Sequence, residues 1–294
     1  MKPKTLPVLD VKEFIPSERV ADFYANTFVA HLRQHAHLIL APHGHNFYVS
    51  VLFIKGRGIH EIDFVRYPIK PGSNFILCPG QVHNWKLSRD IDGYIFFHTE
   101  EFYNLYYSHE KIEHYPFFCS IHDSRLISLR KNSLEKVEPL YREIVQEYKH
   151  AQSMRFQKIC SLLNILYIEL SRLYGGGGLT AKENLPEVSK VRKLEAFIDK
   201  HFKSIKYPKD YAKMMHMSVK HLNRICKKAL NKTTSDLISD RILIEAKRML
   251  MDPEHSVYQI ADELGFHENS YFFRMFKKKT GQTPMQFMKT FSKR

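Results

Sequence analysis

Histidine stands at positions 43, 45 and 83, within PHGHNFYV (42–49) and CPGQVHNW (78–85). Two imidazoles one residue apart, joined by a third from a later turn, make a set of neutral nitrogen donors that can hold zinc or iron. The same three side chains can instead line the wall of a chamber that senses a small molecule. Tyr48, Trp85 and Tyr94 are the candidate neighbours of His43, His45 and His83 in such a chamber. A one-residue shift of strand register would reverse which of them face inward.

A second chemistry lies at the other end of the chain, where a pattern occurs twice. SVKHLNRICKK (218–228) and ENSYFFRMFKK (268–278) align at a shift of 50, pairing Leu222 with Phe272, Arg224 with Arg274 and Cys226 with Phe276. A short helical stretch and a tight turn precede each copy, PKDYAKMMHM (208–217) and VYQIADELGFH (257–267), with one more residue in the second turn. Helix, turn, second helix is the helix-turn-helix plan. At 100° per residue, Leu222, Ile225 and Cys226 share one face of the first copy, and Phe272 and Phe276 share one face of the second. Lys220, Arg224 and Lys227, and Ser270, Arg274 and Lys277, fall on the opposite faces. Arginine can read guanine bidentately, serine and asparagine can bond base edges, and lysine can hold phosphate. One such helix alone would read as an ordinary solvated surface, but the repetition in a basic segment points to DNA.

The elements that must position these residues follow from the local patterns. NFYVSVLFIK, IHEID, SNFILC and GYIFFHT are rich in β-branched and aromatic residues, and KGRG, KPGS, CPGQ and DIDG separate them. Residues 28–100 therefore read as short strands of an antiparallel sandwich or barrel. Asn132 with Glu135 resembles a capping box and predicts a helix to about Lys149. A second helix is predicted from Ser153 to Tyr174, with Phe156, Ile159, Leu163, Leu166 and Leu170 at helical spacing. That stripe either packs on its own barrel or makes a dimer. GGGGLTAKENLP (175–186) cannot hold a helix and reads as a linker, and Pro186 suits the first turn of the next helix. The expected organisation is 1–131, a barrel; 132–174, a helical pair; 175–185, a linker; and 186–294, a helical domain with two helix-turn-helix units.

The charge agrees with that division. The 294 residues carry a formal charge of +14. From Lys182 onward there are 24 Lys and Arg against 13 Asp and Glu, whereas the first 181 residues carry 21 against 18. A basic segment attracts polyanions, and nucleic acid comes first among them. Cys78, Cys119, Cys160 and Cys226 form no CxxC pair, which suits free thiols in a reducing cytoplasm. No apolar run approaches a membrane span, and the first residues lack the apolar core of a secretory signal.

IADELGFHENSYFFRMFKKKTGQTPMQF (260–287) closely resembles the signature of the AraC/XylS family of bacterial transcription regulators. DRILIEAKRMLMD (240–252) resembles the helix that joins that family's two helix-turn-helix units. The sequence departs from the pattern at Asn231, where the family usually has glycine, and at Met288, where arginine is common. Asparagine tolerates the left-handed turn that the first position requires. By position, the resemblance implies base-facing roles for Lys220, Asn223, Arg224, Asn269, Ser270, Tyr271 and Arg274, with Lys227, Lys277 and Lys278 beside them on the DNA. It implies two helices placed in successive major-groove segments of one DNA face. It also implies an N-terminal cupin-like barrel that binds a small-molecule effector, usually without metal. The cupin metal motif wants a glutamate a few residues past the second histidine, and none occurs before Glu61.

The expected fold class is α+β multidomain: a cupin-like antiparallel β-barrel with a helical hairpin, then an all-α domain with two helix-turn-helix units. The expected function is a cytoplasmic, effector-responsive activator that binds duplex DNA, requires no cofactor or metal, and can engage RNA polymerase. A homodimer is expected through Ile159, Leu163, Leu166 and Leu170. Two alternatives remain at this point: a metal-dependent cupin enzyme with a basic tail, and a non-specific architectural DNA binder.

Overall fold

The computed structural model describes residues 6–15, 22–107, 112, 115–118, 124–150, 152–174, 186–252 and 254–291. The linker expected at 175–185, the N-terminal residues 1–5 and Cys119 lie outside the described residues. The chain divides into two compact units between Leu179 and Thr180.

The N-terminal unit is built on antiparallel sheets. Strands β2 (Phe23–Thr27), β4 (Tyr48–Lys55), β7 (Ser73–Leu77), β9 (Asp92–His98) and β10 (Leu126–Ser128) form one sheet in the order β10-β7-β4-β9-β2. Strands β5 (Gly58–Ile62), β6 (Val65–Ile69) and β8 (His83–Leu87) form a second, in the order β6-β5-β8. β1 (Val8–Leu9) pairs in parallel with β3 (Gly44–His45), and a bridge joins His43 to His83.

The five-stranded sheet is buried on both faces, which is why its strands read as nearly continuous apolar runs. Val49, Val51, Phe53, Phe75, Ile95 and Phe97 project to one face, where Phe75 meets His60 and Tyr67 of the small sheet. Ser50, Leu52, Asn74, Phe96 and His98 project to the other, beneath α3 (Lys131–Lys149) and α4 (Arg155–Leu173), while α2 (Glu100–Tyr106) follows β9. Ser50, the Asn74 side-chain N–H group and His98 on that covered face are hydrogen-bonded. Tyr141 of α3 bonds both Ser50 (2.5 Å) and Asn74, and the Tyr167 hydroxyl of α4 donates to His98 Nε2 (2.6 Å).

Three expectations are corrected here. Residues 28–39 are not strand but helix α1 (Phe28–Ile39), capped by the Thr27 hydroxyl; Phe28, His31 and Ile39, at helical spacing, form its buried face. Asn132 caps nothing, because α3 begins one residue earlier and Arg130 takes the extended cap position; a cap side chain must sit outside the helix to reach its free N–H groups. The third concerns the dimer stripe. Ile159, Leu163, Leu166 and Leu170 are all 0% exposed and belong to the unit's own core. They cover the outer face of the sheet and are not available to a second chain. The outer side of α4 instead exposes Ile165 and Ile168.

The C-terminal unit is helical: α5 (Pro186–His201), α6 (Pro208–Met214), α7 (Val219–Leu230), α8 (Thr234–Met249), α9 (Val257–Glu263), α10 (Asn269–Thr280) and α11 (Pro284–Phe291). α6 and α9 end in the same way. A residue of positive φ, His216 (53°) or Gly265 (76°), is followed by a backbone N–H that reaches back to Ala212 or Ala261. That closure is the Schellman motif. Ser218 caps α7, and Asn231 closes it at φ 54°, the left-handed turn expected of it. Thr233 and Asp236 make the capping box that starts α8. Leu222, Ile225, Cys226, Phe272 and Phe276 are buried, each within 2% of full burial.

Phe276→Ala is expected to destabilise the C-terminal unit by about 3–5 kcal/mol, the cost of a large-to-small change in a packed core. Denaturant unfolding followed by helical circular dichroism measures it. A variant as stable as wild type would show that Phe276 is not a core residue.

Candidate functional site

Four of the six residues expected around a ligand chamber come together. His43, His45, His83 and Trp85 line a closed space between the two sheets, with Phe14, His31, Ile39, Phe47, Val49, Ile95 and Phe97. The free volume is about 10 Å³, room for about one water. β8 supplies His83 and Trp85, and the β3 region supplies His43 and His45. The Trp85 indole N–H donates to the Ile39 carbonyl (3.1 Å), which ties β8 to the end of α1.

Tyr48 and Tyr94 do not belong there. Each faces the opposite side of the five-stranded sheet: Tyr48 stacks on His98 at 5.3 Å and meets Phe118, while the Tyr94 hydroxyl accepts from Arg142 of α3. The alternation of β4 and β9 puts Val49 and Ile95 inward and their neighbours out. The chamber gains one histidine not anticipated from the sequence, His31 of α1. A second, His60, stands behind the wall, its Nε2 3.0 Å from His83 Nδ1. In IHEID the alternation runs against expectation, with Ile59 42% exposed and His60 fully buried. The signal that could have found His31 is its spacing with Phe28, His35 and Ile39 on one helical face.

Hydrogen bonds fix the tautomers. His43 Nδ1–H donates to the Ala41 carbonyl (2.9 Å) and His45 Nδ1–H to the Phe47 carbonyl (2.6 Å), leaving each Nε2 with its lone pair. Tyr24 accepts from Asn26 and donates to His31 Nδ1 (3.1 Å). Burial depresses four of these imidazoles: His31 falls to about 3, and His43, His60 and His83 lie below the ordinary value. Neighbouring histidines lower His31, His60 and His83 further, because each imidazolium repels the next. Among the described residues, no three His, Cys, Asp or Glu side chains are arranged to hold a metal ion.

The second candidate surface is the pair of helices α7 and α10. Lys220, Arg224 and Lys227 are exposed on α7, opposite Leu222 and Cys226. Ser270, Tyr271, Arg274, Lys277 and Lys278 are exposed on α10, opposite Phe272 and Phe276. Arg224 lies 3.0 Å from His221 Nδ1. Tyr271 is 55% exposed with its ring beside Phe266. Asn269, the first residue of α10, is half-buried. Asn223 departs from the expected face: its side-chain oxygen accepts the backbone N–H of Thr234 (2.9 Å), so it holds the start of α8. At 100° from Leu222 around the helix axis it sits on the flank, within reach of that N-terminus.

Residues 25–133 match the sequence model of the AraC-like ligand binding domain, and residues 211–290 match that of a helix-turn-helix domain. The HTH-type transcriptional activator RhaR of Mannheimia succiniciproducens is 23% identical over 270 residues, 89% of this chain and 92% of that protein. The bifunctional transcriptional activator/DNA repair enzyme AdaA of Bacillus subtilis is 32% identical over 105 residues, 36% of this chain and 50% of that protein. Among solved structures, ToxT from Vibrio cholerae aligns at 13% identity with a TM-score of 0.45, over 91% of this chain and 98% of its own.

The buried imidazoles predict acid sensitivity of the N-terminal unit. His31 and His98 titrate at about 3 and about 4 when folded, below the ordinary 6.5. The unfolded chain therefore binds more protons below pH 6.5, and stability falls as pH drops from 7 to 5. Each such histidine contributes a slope of about 1.4 kcal/mol per pH unit. Trp85 is the chain's one tryptophan, so its fluorescence in denaturant titrations reports this unit; equal stability at both pH values would contradict the buried neutral state.

Proposed function

The chain is a transcription regulator of the AraC type, an AraC-like ligand-binding domain joined to a helix-turn-helix domain, and we propose how its residues divide that work. The observation that carries the reading is the duplicated recognition helix, each copy buried through Leu222 or Phe272 and presenting arginine and lysine outward. Arg224, Arg274, Ser270, Asn269 and Tyr271 read base edges in successive major-groove segments, and Lys220, Lys227, Lys277 and Lys278 hold phosphates. The chain is not an enzyme; the histidine cavity is a sensor.

An effector larger than a water must displace side chains that already touch one another across the cavity. Its binding is therefore linked to movement of the elements that supply Phe14 and His31, and the affinity difference between closed and open forms is what can shift the regulator. The wall carries imidazoles and aromatic rings but no Lys, Arg, Asp or Glu among its lining residues. The protein works in the cytoplasm, as an activator that engages RNA polymerase. It forms a homodimer through the exposed side of α4, with Ile165 and Ile168 as the apolar centre.

Full-length protein is expected to select a sequence from a random duplex pool, with affinity that falls steeply as salt rises. Arg224→Ala and Arg274→Ala each reduce preference for the selected site over random DNA, by about 1–3 kcal/mol for a bidentate contact. Lys278→Ala weakens both DNAs alike. Arginine variants that also weaken both alike would refute the assignment of base-reading faces.

Joint replacement of Ile165 and Ile168 by Glu is expected to convert the dimer to a folded monomer, read by light scattering. A wild-type chain that is monomeric at micromolar concentration, with or without DNA, rules the dimer out.

A further inference from the structure

Two helices that must enter successive segments of a groove need a fixed spacing, and α8 by itself is one covalent connection between them. The structure holds a second connection. Lys206 lies in the segment between α5 and α6. Its ammonium donates to three carbonyl oxygens, those of Phe202 (2.5 Å), Lys203 (2.6 Å) and Leu264 (2.6 Å). The first two belong to the turn that closes α5, and the third to the turn between α9 and α10. The same ammonium lies 5.1 Å from the centre of the Phe266 ring. Its three N–H donors thus meet three carbonyls left over at two helix C-termini, the place where a cation is most favourable.

The backbones are pressed together at this point. Gly265 has φ 76°, and a Cβ on it would lie 1.9 Å from the Lys203 carbonyl oxygen. His216, the counterpart in the first unit, carries a side chain at the same left-handed position. The glycine is therefore required by the close approach as well as by the turn. α5 packs on α6, α7 and α8, so its end moves with the first recognition helix. Arg241 of α8 secures that end, bonding Asp199 (2.5 Å) and lying 4.0 Å from the Phe202 ring centre. On the other side, the Leu264 carbonyl immediately precedes the turn that aims α10.

We propose that Lys206 and Gly265 form a clamp that fixes the second recognition helix relative to the first, and so sets which spacing of DNA segments the protein accepts. Neither residue touches DNA in this scheme; both are positioning residues. Burial lowers the Lys206 pKa to about 8, and the three carbonyl acceptors act against that shift by favouring the charged ammonium. The inference rests on the DNA-binding reading above.

The test uses the full chain and a duplex selected by the wild type from a random pool, with both contacted segments located by footprinting. Two further duplexes carry one base pair inserted or removed between the segments, which moves one by about 3.4 Å and about a tenth of a turn relative to the other. Wild type is expected to lose on the order of tenfold or more in affinity on the altered duplexes, a usual scale for coupling between sites. Lys206→Met is expected to lose on the order of tenfold on the selected duplex but to show a spacing penalty several times smaller than wild type. Lys206→Gln keeps two N–H donors without the charge and should lie between them, which preserves the test if the first variant folds poorly. A Lys206 variant that weakens on all three duplexes equally, or retains the wild-type spacing penalty, overturns the clamp. Failure of the wild type to bind any duplex would overturn the underlying function instead.

Discussion

Exclusion of water from both faces of the five-stranded sheet is the constraint on which the N-terminal unit depends. A sheet covered on one side could carry polar residues on the other. This one cannot, so every polar group placed on it needs a partner. Tyr141 serves Ser50 and Asn74 together, and Tyr167 serves His98. The apolar stripe of α4 is consumed in covering that face. Helices and sheet consequently share one continuous core.

The histidines illustrate how burial changes the use of a residue. In water an imidazole near neutral pH is a switchable charge. Packed against Phe14, Phe47, Phe75 and Trp85, the same group is a neutral ring with one donor and one acceptor. Backbone carbonyls and Tyr24 engage one nitrogen on each of His31, His43 and His45, so the rings are held in fixed orientations. The result is a wall of fixed hydrogen-bonding groups in an apolar space.

The C-terminal unit solves one geometrical problem twice with different residues. Each turn needs a left-handed residue, an apolar residue after it, and a cap for the recognition helix. His216, Met217 and Ser218 fill these places in the first unit. Gly265 and Phe266 fill the first two in the second, and Glu268 stands at the cap position without a side-chain cap bond. Lys279 pins the second recognition helix to α8 through Asp236 and Asp240. The charge on the exposed faces is thereby separated from the charge that holds the scaffold.

The sequence by itself determined the helical unit. Helix-turn-helix geometry is local: the spacing of Leu222, Cys226, Phe272 and Phe276 fixes which side of each helix is buried, and Asn231 and Gly281 mark where the helices stop. The outward positions of Arg224 and Arg274 follow from the same 100° step. The exception, Asn223, turns on a contact with Thr234 eleven residues away. Tertiary structure decided the histidine cavity. In a strand buried on both faces, apolar residues occupy both sides, so alternation carries no sign of which side is inner. Tyr48 and Tyr94 could not be told from Val49 and Ile95 until pairing fixed the register. His31 and His60 come from elements far apart in the chain, brought together only when the two sheets and α1 close on each other. The stripe of α4 was legible as apolar, but whether it faced a second chain or its own sheet depended on the area that sheet left uncovered.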